Sequence, residues 1–124
     1  MDKNVIGVLH PGEMGAAALI LALRALAHAE GVEQTLIAEW QQSQPALTAR
    51  PHAAARSALQ KGWRWVAEME EIAATMAAAG LPPGFHQAAA TIYTRVPHPH
   101  AESPTSEPSL TTVINALLAE HSPA

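Results

Sequence analysis

The 124-residue chain contains no cysteine, which excludes a disulfide framework and thiolate chemistry and is typical of the cytoplasm. Basic residues are also scarce: seven lysines and arginines stand against eleven acidic residues, with no basic cluster for phosphate contacts. The longest apolar run, residues 16–23, is far shorter than the roughly 20 residues that cross a bilayer. We therefore expect neither a nucleic-acid nor a membrane partner.

Aromatic residues make up only 4% of the chain, whereas hydrophobic residues make up 48%, and many of these are alanine. Alanine has the highest intrinsic helix propensity but contributes little apolar area when it is buried. The composition therefore predicts an all-α protein with a thin core. Such a protein often completes its core by oligomerising, and we expect a homodimer.

Apolar residues recur at helical spacing in about five segments. The predicted helices span residues 13–30, 32–43, 51–79, 84–96 and 109–118. Gly31 and Gly80 are predicted helix ends, Gly62 is the candidate for a break in the third helix, and Ser109 is a candidate N-cap. The predicted inward faces are Leu19, Leu23, Leu26 and Ala27, widened by Ile20 and Leu21; Leu36, Ile37 and Trp40; Trp65, Met69, Ile72 and Met76; Phe85, Ala89, Ile92 and Val96; and Leu110, Val113, Ile114, Leu117 and Leu118.

The chain opens MDKNVIGVLHPGEMG, in which residues 5–9 read as a buried strand followed by a Pro-Gly turn. In the dinucleotide-binding pattern G-x-G-x-x-G, the glycine positions fall on His10, Gly12 and Gly15, which are the candidate cofactor-binding residues. No second strand follows, and a lone parallel strand has no partner within the chain. We interpret the opening as a remnant β-strand and glycine turn, and we expect this chain alone to bind no cofactor.

The opening VIGVLHPGEMG resembles the start of NAD(P)-dependent oxidoreductases of the β-hydroxyacid dehydrogenase (6-phosphogluconate dehydrogenase-like) superfamily, in particular a subgroup with a His-Pro-Gly-x-Met-Gly loop. The run KGWRWVAEMEEIAATMAAAGLPPGFHQAAATIYTRV resembles the all-helical C-terminal domain of that subgroup. This resemblance covers residues 16–96, and residues 109–118 resemble the closing helix of the family. The resemblance implies a domain that dimerises and closes over an active site, with NAD(P) as the cofactor of the family.

The resemblance also implies that most of the Rossmann domain is missing, together with the helix that carries the catalytic lysine of the family. No lysine occurs between Lys3 and Lys61, and the later Lys-Asp pair of the superfamily would fall on Ala67 and Glu68. We therefore predict four units: a Rossmann remnant at residues 1–15, a helical domain at 16–96, a proline-rich linker at 97–108, and a C-terminal helix and tail at 109–124.

Five residues of the third helix form the predicted substrate-domain or interface set: Trp63, Trp65, Glu68, Met69 and Ile72. The two tryptophans are two positions apart and point in nearly opposite directions on a helix. One is expected in the core and the other at an interface or over a cleft.

Two further clusters are candidate chemical sites. Glu68, Glu70 and Glu71 form a carboxylate run that we interpret as a solvated or salt-bridged face, with general acid–base chemistry as the alternative. A zinc site is the alternative to solvated side chains for four histidines, His86, His98, His100 and His121. We predict no metal site and no catalytic residue.

Two functions from different classes remain. The first is a non-catalytic helical dimerisation or substrate-domain fragment related to NAD(P)-dependent hydroxyacid oxidoreductases. The alternative is an NAD(P)-dependent oxidoreductase acting on a small 2- or 3-hydroxy acid, active only if a partner chain supplies the Rossmann domain. A chain with no function is the third possibility.

Overall fold

A computed structural model describes residues 12–97 and 108–119 of the chain. These two stretches form five α-helices and one short 3-10 helix, with no strand among them, which confirms the predicted all-α fold. The elements are α1 (Gly12–Ala29), α2 (Glu33–Ser43), the 3-10 helix (Pro45–Thr48), α3 (Arg50–Ala78), α4 (Gly84–Arg95) and α5 (Ser109–Leu118). The predicted strand at residues 5–9 and most of the proline-rich linker lie outside the described residues.

Two glycines end helices in the way that the sequence predicts. Gly31 and Gly80 have φ values of 73° and 81°, a left-handed conformation that side chains with a Cβ rarely adopt. After α3, the Leu81 amide donates to the Met76 carbonyl at 2.8 Å, and the Gly80 amide donates to the Ala77 carbonyl at 3.0 Å. The same pair of bonds follows α1. Both ends are Schellman motifs, which satisfy carbonyls that the helix leaves free.

Helix α3 is 29 residues long and runs without interruption through Gly62, where the sequence suggested a break. Pro51 lies in its first turn, where the missing amide hydrogen would have no helical partner. Gly62 is buried against α4, and a Cβ at this position would lie 3.4 Å from Cδ1 of Tyr93. The glycine therefore marks a close helix–helix contact.

The core lies where α3 and α4 pack together and where α1 and α5 cover them. Its largest fully buried side chains are Leu21, Met69, Tyr93, Val113 and Pro51. Many of the remaining buried residues are alanines, including Ala55 and Ala58 on α3. The core is thin in the way that the composition predicts, because alanine brings helix backbones close together and buries little area.

The buried face of α1 agrees with the prediction only in part. Leu19, Leu23 and Leu26 are exposed, whereas Ile20, Leu21 and Ala27 of the predicted face are buried, together with Ala25. Helix α1 is apolar on both sides, so its periodicity could not identify the side that packs. The alanine-rich side lies against the core because small side chains allow the closer approach.

Two other predicted faces also need correction. Phe85 is 79% exposed at the first turn of α4, and Tyr93 occupies the inward position of that helix. On α5, Leu118 is exposed while the other four predicted residues are buried. Ser109 is the first helical residue rather than the N-cap; Pro108 precedes it, and no side chain caps the helix.

Within the described residues, no helix combines the length and the apolar character that a membrane span requires.

Candidate interaction surface

The main surface feature is an apolar ridge on α1, which we call the α1 ridge and define as Ala16, Leu19, Leu23 and Leu26. The three leucines are spaced i, i+4 and i+7 and therefore share one side of the helix. They are 57%, 41% and 57% exposed, respectively. Between Glu13 and His28 the helix presents no charged side chain to solvent, because Arg24 is only 5% exposed.

A groove lies on one side of the α1 ridge, between α1 and the first half of α3, and we call it the α3 groove. Its volume is about 530 Å³, and its walls include Leu19 and Leu23 of the ridge together with Trp40, Leu47 and Trp65. Its charged wall residues, Glu13 and Arg50, carry opposite signs. The groove is thus largely apolar and has no excess of one charge.

A second groove, the α4 groove, lies on the other side of the ridge, between α1 and α4, and has a volume of about 860 Å³. Small residues of α1, including Gly15 and Ala22, form one wall, and Phe85 and Ile92 of α4 form the other. Arg95 lines the groove at the last position of α4, and within residues 12–97 and 108–119 no acidic residue is among its lining side chains.

An ion-pair cluster holds α1 and α2 in place and so shapes the α3 groove. Arg24 donates a hydrogen bond to Glu33 at 3.1 Å across the turn at Gly31, and His28 lies 3.0 Å from the other oxygen of the same carboxylate. The hydrogen bond with His28, together with the Arg24 guanidinium, holds the pKa of Glu33 below its usual range. The buried Arg24 charge is therefore paired, as a buried charge must be.

Tyr93 connects α4 to the ridge helix. Its hydroxyl donates a hydrogen bond to the Met14 carbonyl in the first turn of α1, and its ring packs edge-on against Trp65, with centroids 5.1 Å apart. Burial raises the pKa of Tyr93 above its usual value of 10.0. The phenol is therefore held in its protonated, donating form, and it fixes the relative positions of the walls of both grooves.

The structure places the candidate cofactor residues at the start of α1. Gly12 is the first residue of this helix and Gly15 lies in its first turn, so the helix begins inside the segment predicted as a Rossmann remnant. Gly15 packs near His86, whose Nε2 would lie 3.7 Å from a Cβ at position 15. His10 lies outside the described residues.

The predicted interface set on α3 divides between the core and the surface. Met69 and Ile72 are core residues, and Trp65 is half-buried between Tyr93 and the α3 groove. Trp63 and Glu68 lie on the exposed side of the helix. The structure therefore separates residues that the sequence analysis grouped. A partner would contact the exposed members, Trp63 and Glu68.

The candidate chemical clusters are not assembled into a site within the described ranges. Glu68, Glu70 and Glu71 are exposed. No group of three or more histidine, aspartate or glutamate side chains in those ranges is arranged to hold a metal ion. His86 is half-buried, and its Nδ1 has no hydrogen-bond partner there; the other three histidines of the zinc hypothesis lie outside. The described geometry is suited to apolar contacts rather than to acid–base chemistry.

Sequence reasoning missed Tyr93, the pairing of Arg24 with Glu33, and the position of Arg95. Arg24 did carry a signal, since it is a lone cation within the apolar part of α1 and an acid follows the turn at Gly31. Tyr93 carried a weaker signal as the only tyrosine of the chain. The grooves require the tertiary arrangement and have no local signal.

The segment that forms α2, the 3-10 helix, α3 and α4 matches a known family. Residues 27–96, more than half of the chain, match DUF1932, a domain of unknown function. The chain belongs to the DUF1932 family. This membership supports the resemblance to the C-terminal helical domain of NAD(P)-dependent hydroxyacid dehydrogenase-like proteins. No curated protein and no solved structure matches the chain.

The DUF1932 match and the surface features overlap only in part. The match begins at Ala27, near the end of α1, so the leucines of the α1 ridge precede it and α5 follows it. Tyr93, Trp65 and Arg95 lie inside the matched segment. Each groove therefore has one wall within the DUF1932 segment and one wall formed by the ridge helix.

Proposed function

We propose that this chain is a non-catalytic helical module that self-associates in the cytoplasm as a homodimer through the α1 ridge. The exposure of Leu19, Leu23 and Leu26 on a helix side without charge is the observation that carries the proposal. Helices at a protein surface normally present charged or polar residues to solvent, and a helix that is apolar all round is normally buried.

The shape of the surface supports a partner helix as the contact. The α1 ridge stands between two apolar grooves, and small residues of α1, such as Ala16 in the ridge and Ala22 beside it, allow close approach of another backbone. A two-fold contact would place the ridge of one copy against the same surface of the other, as isologous interfaces require. An exposed, contiguous apolar patch marks an interaction site more often than an ordinary solvated surface.

Size-exclusion chromatography with light scattering tests the proposal directly. We expect a mass of twice the 13.1 kDa of the chain, falling towards that of the monomer on dilution. Leu26→Glu should weaken the dimer by at least about tenfold, or about 1.4 kcal/mol, because association would bury an unpaired charge. Leu26 is exposed, so the variant should keep its helical circular dichroism.

Leu81→Glu is the matched control, because Leu81 is 52% exposed and belongs to the turn after α3 rather than to the α1 ridge. We expect the control to dimerise like the parent protein. A monodisperse, folded monomer at the highest attainable concentration would contradict the proposal. Equal effects of the two variants would show that the interface does not lie on α1.

The proposal extends to the cofactor: the chain alone does not bind NAD(P). Trp40 and Trp65 line the α3 groove and Trp63 is exposed nearby on α3, so nucleotide binding at this surface would change tryptophan fluorescence. Titration with NADPH and NADH should leave the emission unchanged after correction for absorbance. Saturable quenching would favour an oxidoreductase role with a partner chain.

A further inference from the structure

The α4 groove has the features of a site for a small amphiphilic anion. Leu23 and Leu26 of the α1 ridge do not line it, whereas Ala16 and Leu19 do, so the groove borders the proposed dimer surface. Its walls are mostly alanine, leucine, isoleucine and phenylalanine side chains, and its polar side chains are His86, Thr91 and Arg95. Alanines on both walls, Ala22 and Ala88 among them, leave room that larger residues would fill.

The groove has one arginine, at one end, and its other ionisable side chain, His86, lies next to Phe85 at the opposite end. Arg95, at the last position of α4, is half-buried, and its Nη1 donates to the Leu117 carbonyl at 3.3 Å. This bond fixes the guanidinium, but a carbonyl does not neutralise it. Among the described residues Arg95 has no carboxylate partner, and no acid lines the groove. A guanidinium held in this way favours a carboxylate, which it can bind through two parallel hydrogen bonds.

The length of the groove determines how long an alkyl chain it can accommodate. It runs along α4 from Phe85 to Arg95, ten residues, or about 15 Å at 1.5 Å per helical residue. We propose that the α4 groove binds a free medium-chain monocarboxylate, with the alkyl chain between α1 and α4 and the carboxylate on Arg95. Ligand sites of this type are mostly apolar, with a few polar groups that fix orientation.

Isothermal titration calorimetry with decanoate, against decanol as the uncharged analogue, tests the site. We expect saturable binding of decanoate and at least tenfold weaker binding of decanol. Arg95→Gln should raise the decanoate Kd by at least tenfold and leave that of decanol unchanged. Arg95→Lys, which keeps the charge but loses the paired hydrogen bonds, should bind decanoate less tightly than the parent protein and more tightly than Arg95→Gln. Circular dichroism checks that the loss of the bond to Leu117 has not unfolded α5.

A steric pair of variants locates the ligand. Ala88 is exposed and lines the α4 groove, so Ala88→Trp should abolish decanoate binding. Ala53 is equally exposed but lines the α3 groove, and Ala53→Trp should have no effect. Equal affinities for decanoate and decanol, or decanoate binding that survives Ala88→Trp, would overturn the proposal.

One further variant separates this proposal from dimerisation. Leu26→Glu should bind decanoate with unchanged affinity whether or not it forms a dimer, since Leu26 does not line the groove. If decanoate binding disappears with the dimer in this variant, the ligand contacts the subunit interface, and its assignment to the α4 groove is wrong. Binding to anionic phospholipid vesicles without binding of free decanoate would also overturn the proposal and would indicate a membrane surface.

Discussion

The hydroxyl of Tyr93 donates a hydrogen bond to the carbonyl of Met14, although 79 positions separate the two residues. This bond fastens α4 to the first turn of α1, while the ring of Tyr93 rests against Gly62 and Trp65 of α3. One side chain therefore connects the three helices that form the two grooves. The energetic role of this contact leads to the first two predictions.

Tyr93→Phe should lower the free energy of unfolding by about 1 kcal/mol at neutral pH, the net contribution of a typical buried hydrogen bond. The ring remains, so its packing on Trp65 and Gly62 should persist. Urea denaturation followed by circular dichroism measures the change. No measurable loss would mean that water satisfies both groups equally well.

The same tyrosine predicts a decline in stability at alkaline pH. Burial raises the pKa of Tyr93 above the value of about 10 expected in the unfolded chain. The unfolded state therefore loses its proton first, so stabilisation present below pH 10 is lost progressively as the pH rises above it. Because Tyr93 is the only tyrosine, tyrosinate absorbance reports on it alone. Ionisation of the folded protein near pH 10, as for a free phenol, would contradict this prediction.

Glu33→Gln should destabilise the protein by about 2 kcal/mol at neutral pH, because it leaves the buried Arg24 without its charged partner. The pKa of Glu33 is lowered in the folded state, so its stabilisation is present above the unfolded value of 4.5 and is lost as the pH falls through the lower folded value. The stability of variant and parent should therefore converge in acid.

Glu39→Gln is the control for Glu33→Gln, since Glu39 is an exposed residue of the same helix. It should change the free energy of unfolding by less than about 0.5 kcal/mol at either pH. Equal losses in the two variants would show that removal of an acid from α2, rather than the pairing with Arg24, is responsible.

Two glycine-to-alanine substitutions should have opposite signs. Gly80→Ala should cost about 1 kcal/mol, because Gly80 has a φ of 81° at the end of α3. Gly62→Ala should instead stabilise the protein by up to about 1 kcal/mol, because the helix propensity improves and the new methyl lies at contact distance from Tyr93. Thermal unfolding of both variants checks the pair; a loss in Gly62→Ala would show that α3 and α4 cannot separate by even a few tenths of an ångström.

Local sequence signals were sufficient to predict where the helices lie. Gly31 and Gly80 act through their own backbone freedom, and Pro51 acts within its own first turn, so their effects do not depend on distant residues. The helix propensity of alanine and the apolar periodicity are equally local. For this reason the sequence predicted the ends of α1 and α3 to within about one residue.

The choice of the buried face depended on contacts between helices. Periodicity described both sides of α1 as apolar, and only the approach of α3 and α5 made Leu21 a core residue and Leu23 an exposed one. In the same way, Gly62 was read as a break because the ring of Tyr93 that covers it is distant in sequence.

The sequence alone therefore determined an all-α chain with well-marked helix ends, because propensity and turn chemistry act over a few residues. Only the tertiary structure decided that the leucines of α1 face solvent, that Arg24 is neutralised by Glu33, and that Arg95 lies at the end of a groove with no acid beside it among the described residues. These features depend on the rotation and packing of whole helices, which are determined by side-chain volumes from several segments at once.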